Sequence, residues 1–465
     1  MPRQQTTPAG ATRQGNRATL SEGPVARGLA VATAPLAMAL VVMFGIQLAE
    51  AWLTGLLGPH ALAALGFVLP VAMTVMSFGI GLGAGATAVV ARALGAGEEA
   101  GRLSLHALLL AAAVAFGLAL PCWFGAEALL RWLGAEGETR LLALAYLRSW
   151  LLGAVPLLTG MVALGIVRAA GDMRFGGSAL AGAGILGFLL DWPLAFGLPG
   201  VVPGLGLPGL AVAADLSWLA MLLVSLQRLR RFGLLGTGGA VMDGFLASTR
   251  RVLRVGLPAA GTNAIIPVAN GLFTAMLAVQ GSAAVAGFGL GSRVESMAMT
   301  ALFALSAVVN PFAAQNAGAG RLDRLQTGMR ASMSFCLAYG LAVALPLVVA
   351  APWVAAAFTA DPAVAASTTL YLRILPWGYG AIGAIAVACA AFNGLERPMS
   401  AVAISLVRTF VLGVPLAWIG GRLGGEAGTF AGLLIGNLGA GLLAAGWLLR
   451  KVAHEPARQP LPATP

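Results

Sequence analysis

The chain has 465 residues, of which 59% are hydrophobic and only 10% charged, and its mean hydropathy is +0.88. A single soluble core cannot bury so large an apolar fraction, so the composition excludes an ordinary soluble protein and indicates an all-α integral membrane protein. The formal charge of +11 does not indicate a nucleic-acid partner, because no cluster of basic and aromatic residues accompanies it.

Apolar stretches long enough to cross about 30 Å of hydrocarbon recur along the whole chain and predict twelve transmembrane helices. They are residues 28–54, 61–92, 103–123, 142–169, 176–198, 208–227, 251–279, 284–315, 329–352, 366–393, 399–421 and 428–449. The polar residues 1–26 predict a disordered cytoplasmic tail, and residues 453–465 a second cytoplasmic tail. The tail at 1–26 is not a cleavable signal, because the first apolar run is already a full span.

Most of the 28 Lys and Arg residues fall on one side of this topology, which places both termini in the cytoplasm of a bacterial inner-membrane protein. Arg408 belongs to this inward group, which leaves Arg293 as the only clearly deep cation. The residues outside the inward group are Arg131, Arg140, Arg148, Arg293, Arg373 and Arg422.

The first span contains Pro35, Gln47 and a full carboxylic acid, Glu50. Helix from Arg27 to Glu50 measures about 33 Å. By spacing alone, Glu50 is therefore as consistent with an interfacial residue that reaches the outer surface as with a functional acid inside the membrane. Charged groups at hydrocarbon depth are costly, so each one is a candidate for function.

The fifth and sixth spans contribute Asp191, in the stretch "LGFLLDWPLAFG", and Asp215. Asp191 is the deepest acid by spacing, and Pro193 beside it cannot donate a backbone hydrogen bond to Leu189, so an extra acceptor opens next to the carboxyl group. A carboxylic acid in an apolar cavity retains its proton more readily, because burial disfavours the charged form. Structural hydrogen bonds to neighbouring helices are the alternative for both acids.

The eighth span contains Glu295, with Arg293 two positions earlier. Residues two apart point to different faces of a helix, so the two side chains are not expected to satisfy each other. Glu295 is a candidate for contact with a cationic substrate, and a purely structural role is the alternative.

An internal repeat relates the two halves of the chain. Pro35 recurs as Pro258, the Gly58 motif "GPHALAALG" recurs at Gly281, and Gly171 recurs as Gly394, each 223 residues later; Tyr146-Leu-Arg also recurs as Tyr371-Leu-Arg. The repeat predicts two six-helix lobes, residues 27–232 and 233–452. Parallel repeats of this kind are typical of transporters in which two bundles move around a central site.

Other classes of chemistry lack their motifs. No Gly-x-x-x-x-Gly-Lys-Ser/Thr phosphate loop is present, and the three histidines are scattered, so we expect neither an ATPase nor another enzyme. The three cysteines, Cys122, Cys336 and Cys389, lie in apolar segments without metal-ligand or redox spacing, so no metal site is predicted.

The runs "GLGAGATAVVARALGAG" at 81–97, "RAAGD" at 168–172, "RVESMAM" at 293–299, "PFAAQNAGAG" at 311–320 and "AFNGLERP" at 391–398, with the first-span proline and acid, resemble the multidrug and toxic compound extrusion family. The likeness is to its DNA-damage-inducible bacterial branch and covers roughly residues 28–450. It implies two lobes in a V around a central cavity, and exchange of organic, often cationic compounds for protons or sodium.

The resemblance also implies roles for particular residues. The first-span acid of the family falls at Glu50, the fifth-span aspartate at Asp191, the kinking proline at Pro35 and the eighth-span glutamate at Glu295. Family members of this branch often carry an asparagine four residues before the fifth-span aspartate, where this chain has Gly187, and loss of that amide makes sodium coupling less secure.

The predicted function is export of small organic, cationic or amphipathic compounds by a monomeric antiporter that couples export to protons, or to sodium, without a bound cofactor. Glu50, Asp191 and Asp215 are the predicted ion-coupling residues, and Pro35 and Pro193 the predicted hinges. Gln47, Gly187, Arg293 and Glu295 are predicted to line the substrate cavity. A flippase for lipid-linked or polysaccharide precursors is the alternative, although it should have a basic cavity, and only Arg293 is a deep cation.

Overall fold

The structure is a computed structural model that describes residues 19–198, 200, 203–236 and 240–454. Every secondary-structure element in these residues is helical. The α-helices are α1 (Val25–Leu56), α2 (Pro59–Gly95), α3 (Gly101–Trp132), α4 (Gly137–Leu152), α5 (Ala154–Ala169), α6 (Met173–Phe196), α7 (Leu207–Arg231), α8 (Phe245–Ala278), α9 (Ser282–Ala298), α10 (Thr300–Gly318), α11 (Leu322–Phe358), α12 (Pro362–Ile374), α13 (Tyr379–Gly394), α14 (Pro398–Leu406) and α15 (Val414–Ala453). Short 3-10 segments lie at Thr19–Ser21 and Leu375–Gly378, and a π-helical turn at Val407–Gly413.

By length and composition, the helices in the described part of the chain are sufficient for twelve membrane crossings. Nine helical segments are long and apolar enough to span a membrane, and two bent pairs, α4 with α5 at 45° and α9 with α10 at 52°, each add a broken span. The segment Pro398–Ala453 is 56 residues long, and its backbone leaves the helical conformation at Gly424 and Gly425, which divides it into two parts that are each long enough for a span. Beyond this bend the chain runs back along itself, so that Gly432 lies against Leu416.

The helices differ from the predicted spans at their ends and at their breaks. The predicted span 329–352, for example, is the 37-residue helix α11, because backbone hydrogen bonding continues beyond the apolar part that hydropathy detects. The breaks in α4–α5 and α9–α10 were not predicted. Residues 1–18 and 455–465 of the predicted tails lie outside the described residues. From Thr19 onward the first tail is a 3-10 turn followed by α1, in contrast with the predicted disorder.

The first lobe comprises α1–α7 and the second α8–α15. In the first lobe α6 packs against α1 and α7, and α5 packs against α2, α3 and α7. In the second lobe α13 packs against α10, α11 and α15, and α12 packs against α9. Two lobes related by the repeat confirm the predicted fold class, while the exact boundaries at 27, 232 and 452 stay a prediction.

The lobes meet closely at the end where α1 begins and α2 and α10 end, which we call the closed end. A Cβ added at Gly85 of α2 would lie 2.7 Å from the Val252 oxygen of α8, and one at Gly81 would lie 2.5 Å from the Gly256 oxygen. Glycine is therefore required at both positions for the two helices to approach. Further along α2 toward the other end, a Cβ at Gly66 would meet no atom within 4 Å.

Charged side chains also join the lobes at the closed end. Glu396, in the turn between α13 and α14, accepts a hydrogen bond from Arg251 of α8 at 3.0 Å and lies 4.0 Å from Arg92 of α2. Arg92 also donates to the Leu395 oxygen at 3.4 Å. Glu396 has a φ of 56°, a left-handed conformation that is uncommon for a residue with a side chain. Helix packing and charged side chains therefore both hold the lobes together at the closed end.

Candidate functional site

The three predicted ion-coupling acids converge inside the first lobe. Glu50 lies on α1, Asp191 on α6 and Asp215 on α7, and these helices are neighbours. Tyr146 of α4 is within electrostatic range of all three carboxyl groups, and Glu50 interacts electrostatically with Asp191. The structure therefore gathers residues that are up to 165 positions apart in the sequence around one tyrosine.

Two of these acids each have one buried carboxyl oxygen without a hydrogen-bond partner, although Asp215 also has a hydrogen bond with the backbone of Gly153. Asp191 is only 3% exposed, and its Oδ2 atom and the Oδ1 atom of Asp215 are buried without a partner in the described part of the chain. A buried carboxylate without donors is costly, so such a group stays protonated or binds a cation. Acids in such surroundings are chemically suited to exchange a proton for a positively charged partner.

Asp215 lies at the break between α4 and α5. Gly153 separates these two helices, and a Cβ at this position would overlap the Asp215 carboxyl group. Only glycine lets the carboxyl group approach the first turn of α5, where backbone N–H groups have no partner within the helix and favour negative charge. The sequence predicted Asp215 as a candidate acid but not its contact with this break.

Gly187 lies one helical turn before Asp191 on the same face of α6. A Cβ at Gly187 would meet the Ser217 side chain of α7 at 3.4 and 3.5 Å, which is ordinary contact. The position where the family often has an asparagine therefore faces α7 and has room for a small side chain. Ser217 already donates its hydroxyl hydrogen to the Ala214 oxygen at 2.7 Å.

The two predicted hinge prolines lie inside helices. Pro35 is in α1, and its carbonyl group is 2.6 Å from the position of a Cβ at Gly177 of α6. Pro193 is in α6, two residues after Asp191. Glu50 is half-buried, one and a half turns before the end of α1 at Leu56. These positions agree with the expectation, and the roles of the three residues stay predictions.

The second lobe holds a different polar cluster. Tyr371 of α12 donates its hydroxyl hydrogen to Oε2 of Glu295 at 2.8 Å, and Arg408 interacts electrostatically with both. Arg408 also donates from Nε to Oδ1 of Asn437 at 3.0 Å. Unlike the acids of the first lobe, Glu295 therefore has both a donor and a nearby positive charge.

The predicted cavity residues do not form one group. Gly187 is buried in the first lobe and Glu295 is half-buried among residues of the second, whereas Gln47 and Arg293 are exposed. Arg293 makes no hydrogen bond or ion pair with any described residue. Its exposed position on α9 lies on the face away from α12, so Arg293 and Glu295 are indeed separate, as their spacing predicts.

Comparison with known proteins identifies this arrangement. Residues 35–193 and 258–419 match the sequence model of a family described as MatE. The chain belongs to the multidrug and toxic compound extrusion (MATE) family. The two matching segments begin 223 residues apart, at Pro35 and Pro258, so one segment falls in each lobe and agrees with the internal repeat.

Several proteins resemble this MATE transporter over nearly their whole length. It is 34% identical to the FAD transporter of Shewanella oneidensis, with 92% of this chain and 95% of that protein covered. It is 28% identical to the probable multidrug resistance protein NorM of Deinococcus radiodurans, with 92% and 95% covered. The crystal structure of the Vibrio cholerae MATE transporter VcmN in its bent form superimposes with a TM-score of 0.85 at 28% identity, covering 92% and 98%.

Arg408 of this MATE transporter corrects the sequence prediction. The sequence assigned it to the inward surface, but it lies in the π-helical turn Val407–Gly413, midway between the helix start at Pro398 and the bend at Gly424. Arg293 is therefore not the only deep cation. The position of Arg408, ten residues into the predicted span 399–421, was a signal that could have identified it as a deep cation. Single π-helical turns occur frequently at functional sites.

The repeated Tyr-Leu-Arg motif places one tyrosine beside the acids of each lobe. Tyr146 lies among the three acids of the first lobe, and Tyr371 binds Glu295 in the second. Sequence reasoning found the repeat but gave neither tyrosine a role. In this MATE transporter the motif marks the polar centre of each lobe.

Proposed function

We propose that this MATE transporter is a secondary active antiporter that exports organic compounds by alternating access in exchange for protons. The ion site is the first-lobe cluster of Glu50, Asp191 and Asp215. The observation that carries this proposal is the pair of buried, unpartnered carboxyl oxygens on Asp191 and Asp215. Because neither atom has a donor, proton binding relieves an unfavourable buried charge, and release of the proton to the other side regenerates it.

The positions of the basic residues support one orientation of the protein in the membrane, with the closed end on the cytoplasmic side. Arg92, Arg251, Arg321 and Arg324 lie at the closed end, and the positive-inside rule assigns an end rich in arginine to the cytoplasm. The lobes are in contact at that end, so this conformation faces outward. Protons from outside would then reach the first-lobe acids from the end opposite the closed end. Protonation would bend α1 at Pro35 and displace the substrate.

Sodium is the less favoured coupling ion. Sodium prefers several oxygen ligands at one site, and Gly187 lacks the amide that the family often supplies beside the fifth-span aspartate. Asp191 and Asp215 together with Glu50 could still hold a cation. For this reason, proton and sodium gradients must be imposed separately in any test.

The substrate class is small, organic and amphipathic. Relatives are named probable multidrug resistance proteins, which favours small organic substrates, and the first-lobe acids would suit a cationic one. A second candidate is a flavin dinucleotide, because a relative that matches 92% of this chain is named an FAD transporter and the second lobe contains the deep cation Arg408. The pyrophosphate of such a substrate would require a positive partner. A flippase for lipid-linked or polysaccharide precursors stays an alternative. It should have a basic cavity, and Arg408 is a second deep cation.

Transport by reconstituted vesicles tests the coupling ion. We expect uptake of a fluorescent cation to follow an imposed pH gradient in the wild-type protein and to fall at least about tenfold in Asp191→Asn, which removes the titratable group. Asp323→Asn, an exposed acid on α11, is the matched control and should transport normally. Wild-type rates in folded Asp191→Asn protein, or transport that follows only a sodium gradient, would contradict proton coupling through this cluster.

The two substrate classes can be separated by binding. FAD and a fluorescent organic cation are titrated onto purified wild-type protein, Arg408→Gln and the control Arg422→Gln, which changes an exposed arginine of the last hairpin. A dinucleotide substrate predicts FAD binding that weakens about tenfold or more in Arg408→Gln only. Binding of the cation alone, unaffected by Arg408→Gln, would exclude the dinucleotide.

A further inference from the structure

Helix α1 is shared between the two lobes. Its inner turns bury Leu29, Ala32 and Leu36 in the same hydrophobic core as residues of α10, α11 and α13 in the second lobe. Its outer turns bury Leu53 in the core of the first lobe. Pro35 lies within the inner part, which continues past it to Leu36 and Leu40. The proline is thus placed between the beginning of α1, which is docked on the second lobe, and the outer turns, which carry the acid of the first lobe.

The segment before α1 is held by the second lobe. We call Leu20, Ser21, Glu22 and Gly23 the N-terminal strap. Its four consecutive carbonyl groups all accept hydrogen bonds from side chains at the beginning of α11 or the end of α10. Asn316 donates to the Leu20 oxygen at 3.3 Å, Arg321 to Ser21 at 2.5 Å, and Arg324 to Glu22 at 3.0 Å and Gly23 at 2.6 Å.

Gln315 connects the strap to both lobes. Its side chain is completely buried. The Oε1 atom accepts a hydrogen bond from the Leu20 N–H at 3.0 Å, and Nε2 donates to the Ala169 oxygen at 2.6 Å. Ala169 is the last residue of α5 in the first lobe, and Gln315 belongs to α10 in the second. One amide side chain therefore joins the strap, the first lobe and the second lobe at the closed end.

The second repeat has a reciprocal but weaker arrangement. Before α8, the Val241 oxygen is 2.7 Å from Nε2 of His106 on α3 of the first lobe, and the ring of His106 contacts Phe245 edge-on. The segment before the first helix of each repeat is thus held by the opposite lobe. The strap before α1 has five hydrogen bonds of this kind, and it precedes the helix that carries Glu50.

We infer that the N-terminal strap and Gln315 are positioning elements that transmit bending of α1 at Pro35 to the closed end. The strap fixes the inner part of α1 to the second lobe. When the outer part moves with the first-lobe acid site, the beginning of α1 cannot move freely with it. Movement of the outer part across Pro35 therefore acts on the contact between the lobes. This inference rests on the proposed function, because it assumes that the state of Glu50 alters α1.

Accessibility of a single cysteine reports the closed end. Ala88→Cys is suitable, because Ala88 is completely buried and lies between Gly85 and Arg92 on the face of α2 that contacts the second lobe. It is introduced after replacement of the native cysteines. Labelling by a membrane-impermeant maleimide in inside-out vesicles then measures how often the closed end opens toward the cytoplasm.

The strap is released by the double substitution Arg321→Ala and Arg324→Ala, which removes three of its hydrogen bonds and leaves Gln315 intact. We expect labelling of Ala88→Cys to rise at least about tenfold, as for the loss of three hydrogen bonds of ordinary net strength. The matched control is Arg102→Ala with Arg330→Ala, two exposed arginines without a hydrogen bond to any described residue. Replacement of both strap arginines by lysine should restore protection in part.

A double-mutant comparison tests transmission itself. Glu50→Gln mimics the protonated acid, and its effect on Ala88→Cys labelling is measured with the strap intact and released. We expect a change of about fivefold or more with the strap intact and less than about twofold with it released. Equal changes in both backgrounds, or unchanged labelling in the strap-released protein, would overturn the inference.

The experiments distinguish failure of the proposed proton antiport from failure of the inference about the strap. If wild-type vesicles show no transport driven by a pH gradient, proton antiport is wrong, whereas the labelling of strap variants without Glu50→Gln still reports whether the strap holds the closed end. Conversely, normal proton-driven transport with equal labelling in all strap variants would retain the antiporter and exclude the strap as its positioning element.

Discussion

A methyl group at Gly85 should open the closed end. The Cβ of Gly85→Ala would lie 2.7 Å from the Val252 oxygen and 2.8 Å from the Gly256 nitrogen of α8, about 0.7 Å short of ordinary contact. Both obstacles are backbone atoms in a helix, so they cannot rotate away. Overpacking of this kind costs about 1 to 3 kcal/mol. The cost applies only while the lobes are in contact.

This cost predicts a shift between conformations of about 5- to 150-fold away from the state in which the closed end is shut. The Ala88→Cys reporter measures the shift as faster maleimide labelling from the cytoplasmic side. Transport should slow, because the conformation in which the closed end is shut becomes less populated. Gly85→Ala should also raise the intrinsic helix propensity of α2 by about 1 kcal/mol, a gain that does not depend on conformation.

Gly66→Ala is the matched control on the same helix. It has the same gain in helix propensity, but its Cβ would meet no atom within 4 Å. We therefore expect wild-type labelling and transport for Gly66→Ala. Equal labelling of the two variants, with both folded, would refute the conclusion that the contact of α2 with α8 controls opening at this end.

Three further predictions concern polar contacts. Gly187→Asn should fold normally, because its Cβ would be in ordinary contact with Ser217, and it should raise the ratio of sodium-driven to proton-driven uptake in vesicles. Tyr371→Phe removes a hydrogen bond to a carboxyl group, which we expect to cost about 1 to 3 kcal/mol and to lower the thermal unfolding midpoint measured in detergent. Asp172→Asn weakens the ion pair in which Arg228 donates to Asp172 at 2.6 and 2.9 Å. We expect the free energy of unfolding to fall by about 1 kcal/mol, and by less at high salt. An unchanged free energy of unfolding at every salt concentration would contradict this prediction.

The sequence predicted the features that depend on composition and repetition. Hydropathy predicted twelve spans, and the recurrence of Pro35 as Pro258 predicted two lobes, because each repeat is one folding unit with the same orientation. The acids Asp191 and Asp215 were recognisable because a carboxyl group is rare at hydrocarbon depth. Their convergence on Tyr146 was not predictable, since nothing in the spacing shows which faces of three helices meet.

Features that depend on contact between distant residues were missed for the same reason. Gly153 resembles many other glycines in the chain until the carboxyl group of Asp215 is found against it. Arg408 was misassigned because it was grouped with the inward arginines although it lies ten residues into the predicted span 399–421. Its partners Glu295 and Asn437 lie on other helices, so the sequence does not show that they meet. The strap was predicted to be disordered, because its polar composition does not show that its backbone carbonyl groups accept hydrogen bonds from side chains about 300 positions later.

The two lobes have retained the same framework but satisfy their charges differently. In the first lobe Asp191 and Asp215 have carboxyl oxygens without donors, whereas in the second lobe Glu295 has a tyrosine donor and a nearby arginine. A group that already has its donor and counter-charge gains little from taking up a proton, but an unpartnered acid gains much. Proton exchange is therefore expected in the first lobe, and α1, which joins that lobe to the second through Pro35, is the helix best placed to carry its effect to the closed end.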